Sequence, residues 1–194
     1  MKNLLSQLPE GVSGKTILIA GGSDKAGQEI TLSLGKMGAS LIILGQNQFE
    51  IDQTLERLRG LGSCPRYYGM VADPSSLEDI KIILDVIDRQ FRGIDVLITN
   101  NMFTFPQYFG QEEDLHESLR NKLKGQYYFT VEVLSRMEKQ SSMGYILNVN
   151  TIGKEFRAKY RELCERARMA FRAFNAELCQ QAEDKNVKVI LSSL

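Results

Sequence analysis

The sequence lacks an excess of charge of either sign, since 24 lysines and arginines balance 24 aspartates and glutamates. It also lacks any long block of like charge. Such a chain has no overall field to steer it onto nucleic acid or an anionic membrane surface. We therefore expect neither of these as a partner.

Long apolar runs, signal-peptide features and metal-ligand clusters are also missing. No apolar stretch approaches the roughly 18 residues that a membrane-spanning helix needs, and the apolar run within residues 1–15 is too short for a secretory signal. The three cysteines, Cys64, Cys164 and Cys179, are odd in number and lack zinc-site spacing, and the single histidine, His116, cannot supply a metal site. We predict reduced thiols, no bound metal and a cytoplasmic location.

Short apolar runs rich in isoleucine, leucine and valine alternate with amphipathic helical patterns along most of the chain. The predicted strands are 16–20, 40–44, 66–71, 94–99, 144–149 and 187–192. Strands that alternate with helices in this way predict an α/β fold with one doubly wound parallel sheet of about six strands and helices on both faces.

Apolar spacing places five helices between these strands. They cover residues from about 30 to 38, 51–60, 73–91, 112–140 and 155–183. The third helix carries start signals, because Pro74 suits a first turn and Ser75 with Glu78 is the pattern of a capping box.

Five landmarks follow one another in a recognisable order. Residues 20–27 read AGGSDKAG after the first strand, residues 99–102 read TNNM after the fourth, and residues 148–151 read NVNT at the end of the fifth. Tyr160 opens the last long helix, and Glu177-Leu178 follows it. This order resembles the short-chain dehydrogenase/reductase family, whose corresponding motifs are T-G-x-x-x-G-x-G, N-N-A-G, N-I-S-S, tyrosine and E-L. The resemblance implies a Rossmann-like fold.

The resemblance also implies a dinucleotide site built on the first turn. The residues at the expected cofactor positions are Gly21, Ser23, Lys25, Gly27, Gln46 and Asn100. Several family features are altered there: Lys25 replaces the middle glycine, Gln46 and its neighbours carry no charge to choose NAD or NADP, and Met70 is aligned with the acidic residue after the third strand. Asn101-Met102 replaces the family's Ala-Gly. We therefore expect binding of NAD or NADP to be weak or absent.

The family transfers a hydride between nicotinamide and a carbonyl or alcohol carbon. A tyrosine exchanges the proton, a lysine four residues later lowers its pKa, a serine orients the carbonyl, and an asparagine on the preceding helix completes a proton relay. Tyr160 matches the tyrosine, whereas Cys164, Thr151 and Lys122 stand at the other three positions. Thr151 lies nine residues before Tyr160, which is closer than usual in the family. A further hypothesis has Lys122 replacing the missing ammonium group.

These departures favour a catalytically impaired relative, or pseudoenzyme, that acts as a binding or partner subunit. One alternative is an active NAD(P)-dependent oxidoreductase that uses Tyr160 and Thr151. Another is a regulator or sensor that binds a dinucleotide without turnover.

Domain organisation and assembly follow from the same resemblance. We expect residues 1–194 to form a single domain without the substrate lid and seventh strand that usually end the family's fold. The two long helices are the ones that the family uses to dimerise, which implies a homodimer or a hetero-oligomer with a related subunit. The row Ala167, Ala170, Ala173 and Ala176 either lines such an interface or packs on its own sheet. The aromatic segment 101–110 either folds into the core or forms a contact patch.

Overall fold

The computed structural model describes residues 11–62, 65–73, 76–102, 112–151 and 154–193. The side chains that remain outside this description are those of residues 25, 26, 101, 102, 112–115, 118, 119, 122, 150, 151, 154–156 and 191–193. The aromatic segment that follows β4 falls almost wholly outside it, as do the N-terminal ten residues.

Six parallel strands form one sheet in the order β3-β2-β1-β4-β5-β6. Their bounds are β1 Thr16–Ala20, β2 Ser40–Gly45, β3 Tyr67–Val71, β4 Val96–Met102, β5 Gly144–Thr151 and β6 Val187–Ser193. Ile17, Leu18 and Ile19 on the central strand are fully buried, as expected where helices cover both faces of a parallel sheet. The order reverses beside β1, which confirms the prediction of a doubly wound sheet.

Helices cover both faces of the sheet. Their bounds are α1 Lys25–Lys36, α2 Gln48–Arg59, α3 Leu77–Gln90, α4 Glu112–Met137, α5 Lys154–Lys159 and α6 Arg161–Ala182. The helices α1 and α2 pack on one face around Leu34 and Ile51, whereas α3, α4 and α6 pack on the other around Leu84, Phe129 and Leu178. Burial of these apolar faces is the main stabilising contribution.

Two predictions about the helices were wrong in detail. The third helix is capped by Ser76, whose hydroxyl accepts a hydrogen bond from the Asp79 N–H at 3.2 Å, and not by the Ser75–Glu78 pair. The last helix is not continuous over 155–183, because the chain leaves helical geometry at Tyr160, where φ is −125° and ψ is 55°. Tyr160 therefore lies between α5 and α6.

Candidate functional site

The turn between β1 and α1 is closed by two glycines at the carboxyl edge of the sheet. Gly21 has a φ of +78°, and a Cβ at this position would lie 2.5 Å from the carbonyl oxygen of Asn100. A Cβ on Gly27 would overlap the carbonyl oxygen of Gly21. Both positions therefore require glycine if α1 is to start directly against the end of β1.

A carboxylate caps the N-terminus of α1. Oδ1 of Asp24 accepts a hydrogen bond from the Gly27 N–H at 2.7 Å. Asn100 Nδ2 donates to the two carboxylate oxygens at 3.1 and 3.2 Å and lies 3.3 Å from the Gly21 carbonyl oxygen. The free N–H groups and dipole of a helix N-terminus favour an anion. In this protein a negative side chain already occupies that position.

Ser23 and Lys25 flank Asp24 in the turn. Ser23 is buried, and its hydroxyl fills the space that a Cβ on Gly45 would need, so the Ser23 side chain packs against the end of β2. Lys25 is the first residue of α1. Its side chain is outside the described residues, and its contact with a phosphate stays a prediction.

Asn100 carries a hydrogen-bond acceptor beside this turn that the described residues leave unused. The residue is 4% exposed, and its Oδ1 atom accepts no hydrogen bond from the part of the chain that the structure describes. A buried amide oxygen without a donor costs about 1–3 kcal/mol. A hydroxyl or N–H group of a bound molecule would satisfy it, and this is the feature of the turn that best fits a ligand.

The two residues that follow β2, Gln46 and Asn47, have different roles. Asn47 caps α2, because its Oδ1 accepts from the Phe49 N–H at 2.9 Å and lies 3.4 Å from the Glu50 nitrogen. Gln46 is exposed at the carboxyl edge of the sheet. Of the two uncharged side chains, Gln46 is therefore the one available to a ribose hydroxyl.

Met70, which the resemblance aligns with the family's acidic cofactor residue, is an apolar residue near the end of β3. Met70 lies inside β3, opposite Leu44, and packs against the core. Asp73 is the acidic residue that follows the carboxyl end of β3, and it is exposed. Whether either residue contacts a cofactor stays a prediction.

Tyr160 lies half-buried at the junction of α5 and α6. The ammonium group of Lys159 is 5.1 Å from the centre of its ring, a distance at which a cation is attracted by the aromatic face. The carbonyl oxygen of Tyr160 accepts a hydrogen bond from the Cys164 N–H at 3.0 Å. Cys164 thus stands one helical turn after Tyr160, as the sequence spacing predicts.

Cys164 provides a neutral group at the position that the resemblance aligns with the family's lysine. The residue is 2% exposed, and burial raises the pKa of its thiol, while the guanidinium groups of Arg157 and Arg168 offset that rise only in part. A thiol with a raised pKa stays protonated near neutral pH. It cannot stabilise a neighbouring phenolate as an ammonium group does.

The structure leaves two predicted catalytic residues untested. Lys122 lies on α4, and Thr151 ends β5 opposite Met102. The side chains of both are outside the described residues. The catalytic role of Thr151 and the replacement of the missing ammonium group by Lys122 therefore stay predictions.

Sequence reasoning missed a buried chain of polar side chains behind the site. Gln126 Nε2 donates to the Thr99 hydroxyl at 2.9 Å, and that hydroxyl donates to Asn148 Oδ1 at 2.7 Å. Asn148 Nδ2 donates to Asn175 Oδ1 at 2.7 Å. This chain, which we call the buried amide chain, links α4 to α6 through β4 and β5. A polar residue near the end of each of two apolar strands was the available signal.

The described residues also bear on metal and membrane sites. Across those ranges no group of histidine, cysteine, aspartate and glutamate side chains is placed to hold a metal ion. His116 is exposed on α4. None of the helices in the described part of the chain is both long and apolar enough to cross a membrane.

Comparison with known proteins places this architecture in a family. A short chain dehydrogenase of Gibberella zeae, described as a dehydrogenase/reductase, is 33% identical over 100 residues, which are 52% of this chain and 36% of that protein. The 11-beta-hydroxysteroid dehydrogenase A of Sesamum indicum is 28% identical over 124 residues, which are 62% of this chain and 35% of that protein. The matched segments thus cover about a third of these curated relatives.

A solved structure and a family model extend the match. The crystal structure of an NAD+-bound xylitol dehydrogenase superimposes with a TM-score of 0.78 at 20% identity, covering 94% of this chain and 70% of that one, which shows that the fold is shared. The family model for short chain dehydrogenases matches residues 15–193. Together with the glycine turn and the order of the strands, this match shows that the chain belongs to the short-chain dehydrogenase/reductase family.

Proposed function

We propose that this chain is a catalytically impaired member of its family that acts through binding, as a partner subunit. The observation that carries the proposal is the buried, protonated thiol of Cys164 one turn after Tyr160. A neutral thiol at this position supplies no charge to the phenol, so the proton transfer loses the electrostatic stabilisation that an ammonium group there would give.

We propose that any binding of NAD or NADP to this chain is weak. The close-packed glycines and the unused Asn100 oxygen fit the shape of a dinucleotide site, and a dinucleotide would supply a nicotinamide to accept or donate hydride. The carboxylate of Asp24 opposes it, because the charge lies at the helix N-terminus that would receive the pyrophosphate. Gln46 and Asn100 would hold the ribose, with no charge to select the cofactor.

An active oxidoreductase is the second candidate function, and Lys159 is the observation that favours it. Its ammonium group over the Tyr160 ring is a positive charge close to the phenol. A cation over the ring face stabilises a phenolate less directly than one at the oxygen. In this candidate, Tyr160 would exchange the substrate proton while Thr151 orients the carbonyl.

Assembly through α4 and α6 forms part of the first proposal. Tyr127 makes edge contacts with Tyr128 and Phe174, with ring centres 5.7 and 5.4 Å apart, and Tyr128 remains 38% exposed. Ala167 packs inside its own subunit, whereas the exposed alanines of the same helix are Ala170, Ala173 and Ala176. An aromatic cluster beside small exposed residues supports close approach of a second helix pair from a like or related subunit.

A cytoplasmic location also belongs to this proposal. Cys164 and Cys179 are both free thiols, which suits a reducing compartment. Cys64 lies outside the described residues.

The functions are separated by titrating NADH and NADPH against the protein while following carbonyl reduction, with the oligomeric mass measured in parallel. The impaired partner subunit predicts no turnover and a stable dimer or higher assembly. Turnover that Tyr160→Phe and Lys159→Met both abolish, while Tyr128→Phe preserves it, would instead establish the active enzyme. Tight binding without turnover would establish the sensor.

Replacing Asp24 with asparagine is expected to tighten NADH and NADPH binding about tenfold. Asparagine caps a helix about as well as aspartate, so the change removes charge while the turn persists. A unit charge a few ångströms from a phosphate in a half-exposed site is worth about 1–2 kcal/mol. Fluorescence titration measures the affinity. Asp85→Asn, an exposed charge removal on α3, should leave it unchanged, and an equal gain from both variants would refute the local role of Asp24.

A further inference from the structure

A polar pocket of about 400 Å³ opens at the amino ends of the strands, at the edge of the sheet opposite the glycine turn. Thr16 at the start of β1 and Asp95 just before β4 form one wall. The other walls come from the turns that follow α3 and α4. The side chains that these turns contribute include Arg92, Lys139, Ser141 and Ser142.

The floor of this pocket is fixed by hydrogen bonds. The Gln140 side chain accepts from the Ile94 N–H at 2.8 Å and donates to the Ile94 carbonyl at 3.0 Å. Gly93 has a φ of +139°, and a Cβ there would overlap the Gln140 amide. Asp95 accepts from the Thr16 N–H at 2.8 Å. These contacts join the two turns to the sheet, so the pocket is formed without a ligand.

The pocket carries positive charge that the described protein does not neutralise. Asp95, the carboxylate in its lining, is already paired with Lys15 at 3.2 Å. Arg92 and Lys139 are exposed, and neither forms an ion pair within the part of the chain described. Two like charges lining one pocket repel each other. An anion bound between them would be attracted by both side chains and would offset their mutual repulsion.

Capping of the α4 C-terminus does not explain Lys139. The last carbonyl groups of that helix accept hydrogen bonds from backbone N–H groups of residues 138–140 at 3.0 to 3.1 Å. The dipole of a helix C-terminus corresponds to about half a negative charge, which is smaller than the charge of two side chains. The pocket therefore keeps a net positive character.

We propose that the Arg92–Lys139 pocket binds the phosphate group of a small phosphate ester. A guanidinium group presents paired donors that match a phosphate, and a lysine adds a point charge. The hydroxyls of Ser141, Ser142 and Thr16 supply neutral donors in the same pocket. The volume lies in the range of small-molecule sites, while the polar lining suits a compact, charged ligand.

The test is a titration of the full chain with inorganic phosphate, at constant ionic strength set with chloride, followed by the backbone amide shifts of Gly93 and Ser141. Saturable shifts are expected for these amides. The double variant Arg92→Gln/Lys139→Gln should weaken the affinity about tenfold or more, because charge-assisted hydrogen bonds are lost. The matched variant Lys81→Gln/Arg172→Gln removes the same charge from exposed helix positions outside the pocket and should retain the affinity.

Three results would overturn the proposal. One is a wild-type titration without saturable shifts at Gly93 and Ser141. Another is an equal loss of affinity in the two double variants, which would indicate general attraction by the protein's charge. The third is saturation by chloride alone at the same concentrations, which would show that no phosphate geometry is recognised.

Discussion

Gly27→Ala is expected to lower the free energy of unfolding by about 3 kcal/mol or more. The added Cβ would overlap the carbonyl oxygen of Gly21 and crowd the Cα of Gly22. Both are backbone atoms, so no side chain can rotate to make room. The start of α1 would have to move away from β1, and the Asp24 cap and the Asn100 contacts would be strained with it.

Thermal or urea unfolding measures this loss, and a midpoint about 6–12 °C lower is expected for a chain of this size. Gly60→Ala is the matched control. Gly60 caps α2 in right-handed helical geometry, and a Cβ there would meet its nearest atom at 3.4 Å, so its effect should stay within about 0.5 kcal/mol. Equal stabilities of the two variants would mean that α1 does not start where the structure places it.

Local sequence predicted the sheet well because a parallel strand buried on both faces reads as an unbroken apolar run. The predicted strand 16–20 matches β1, and 40–44 differs from β2 by a single residue. The fourth strand shows the limit of this reasoning. Ile94 continues the apolar run and is 1% exposed, yet its backbone groups bond to Gln140 and β4 begins at Val96.

The break at Tyr160 could not be predicted from local pattern. Residues 154–182 contain neither glycine nor proline, and their composition favours one continuous helix. The chain nevertheless leaves helical geometry between Lys159 and Arg161. Helix propensity is a weak guide at such a position, because tertiary context can override it.

The candidate site was also predictable only in part, because its motifs are visible in the sequence and its long-range contacts are not. The order of motifs located Gly21, Gly27 and Asn100, because glycine turns and polar strand ends are visible in sequence. The contact between Asp24 and Asn100 was not visible, since it joins residues that lie 76 positions apart in the chain. The motif therefore identified the shape of the site, while the contact that positions the Asp24 carboxylate is long-range.

Asn148→Ala is expected to cost about 3–5 kcal/mol of stability, which is the largest loss from any polar residue considered above. Asn148 is fully buried, accepts from the Thr99 hydroxyl and donates to Asn175. Its truncation leaves the partner oxygen of Asn175 without a donor, makes the Thr99 hydroxyl lose its acceptor, and opens a small cavity. A buried group without its partner pays the full cost of desolvation.

Urea unfolding of Asn148→Ala, Asn175→Ala and the double variant tests this chain of contacts. The two losses should fall short of additivity by about 1 kcal/mol or more, because the second truncation removes an oxygen that the first left unpaired. Asn121→Ala, an exposed asparagine on α4, should change stability by less than about 0.5 kcal/mol. Thr99→Val keeps the shape and removes only the hydroxyl, so it reports on the hydrogen bonds if Asn148→Ala does not fold. Additive losses at Asn148 and Asn175, or a Thr99→Val variant as stable as the wild type, would show that the buried amide chain does not link the two helices energetically.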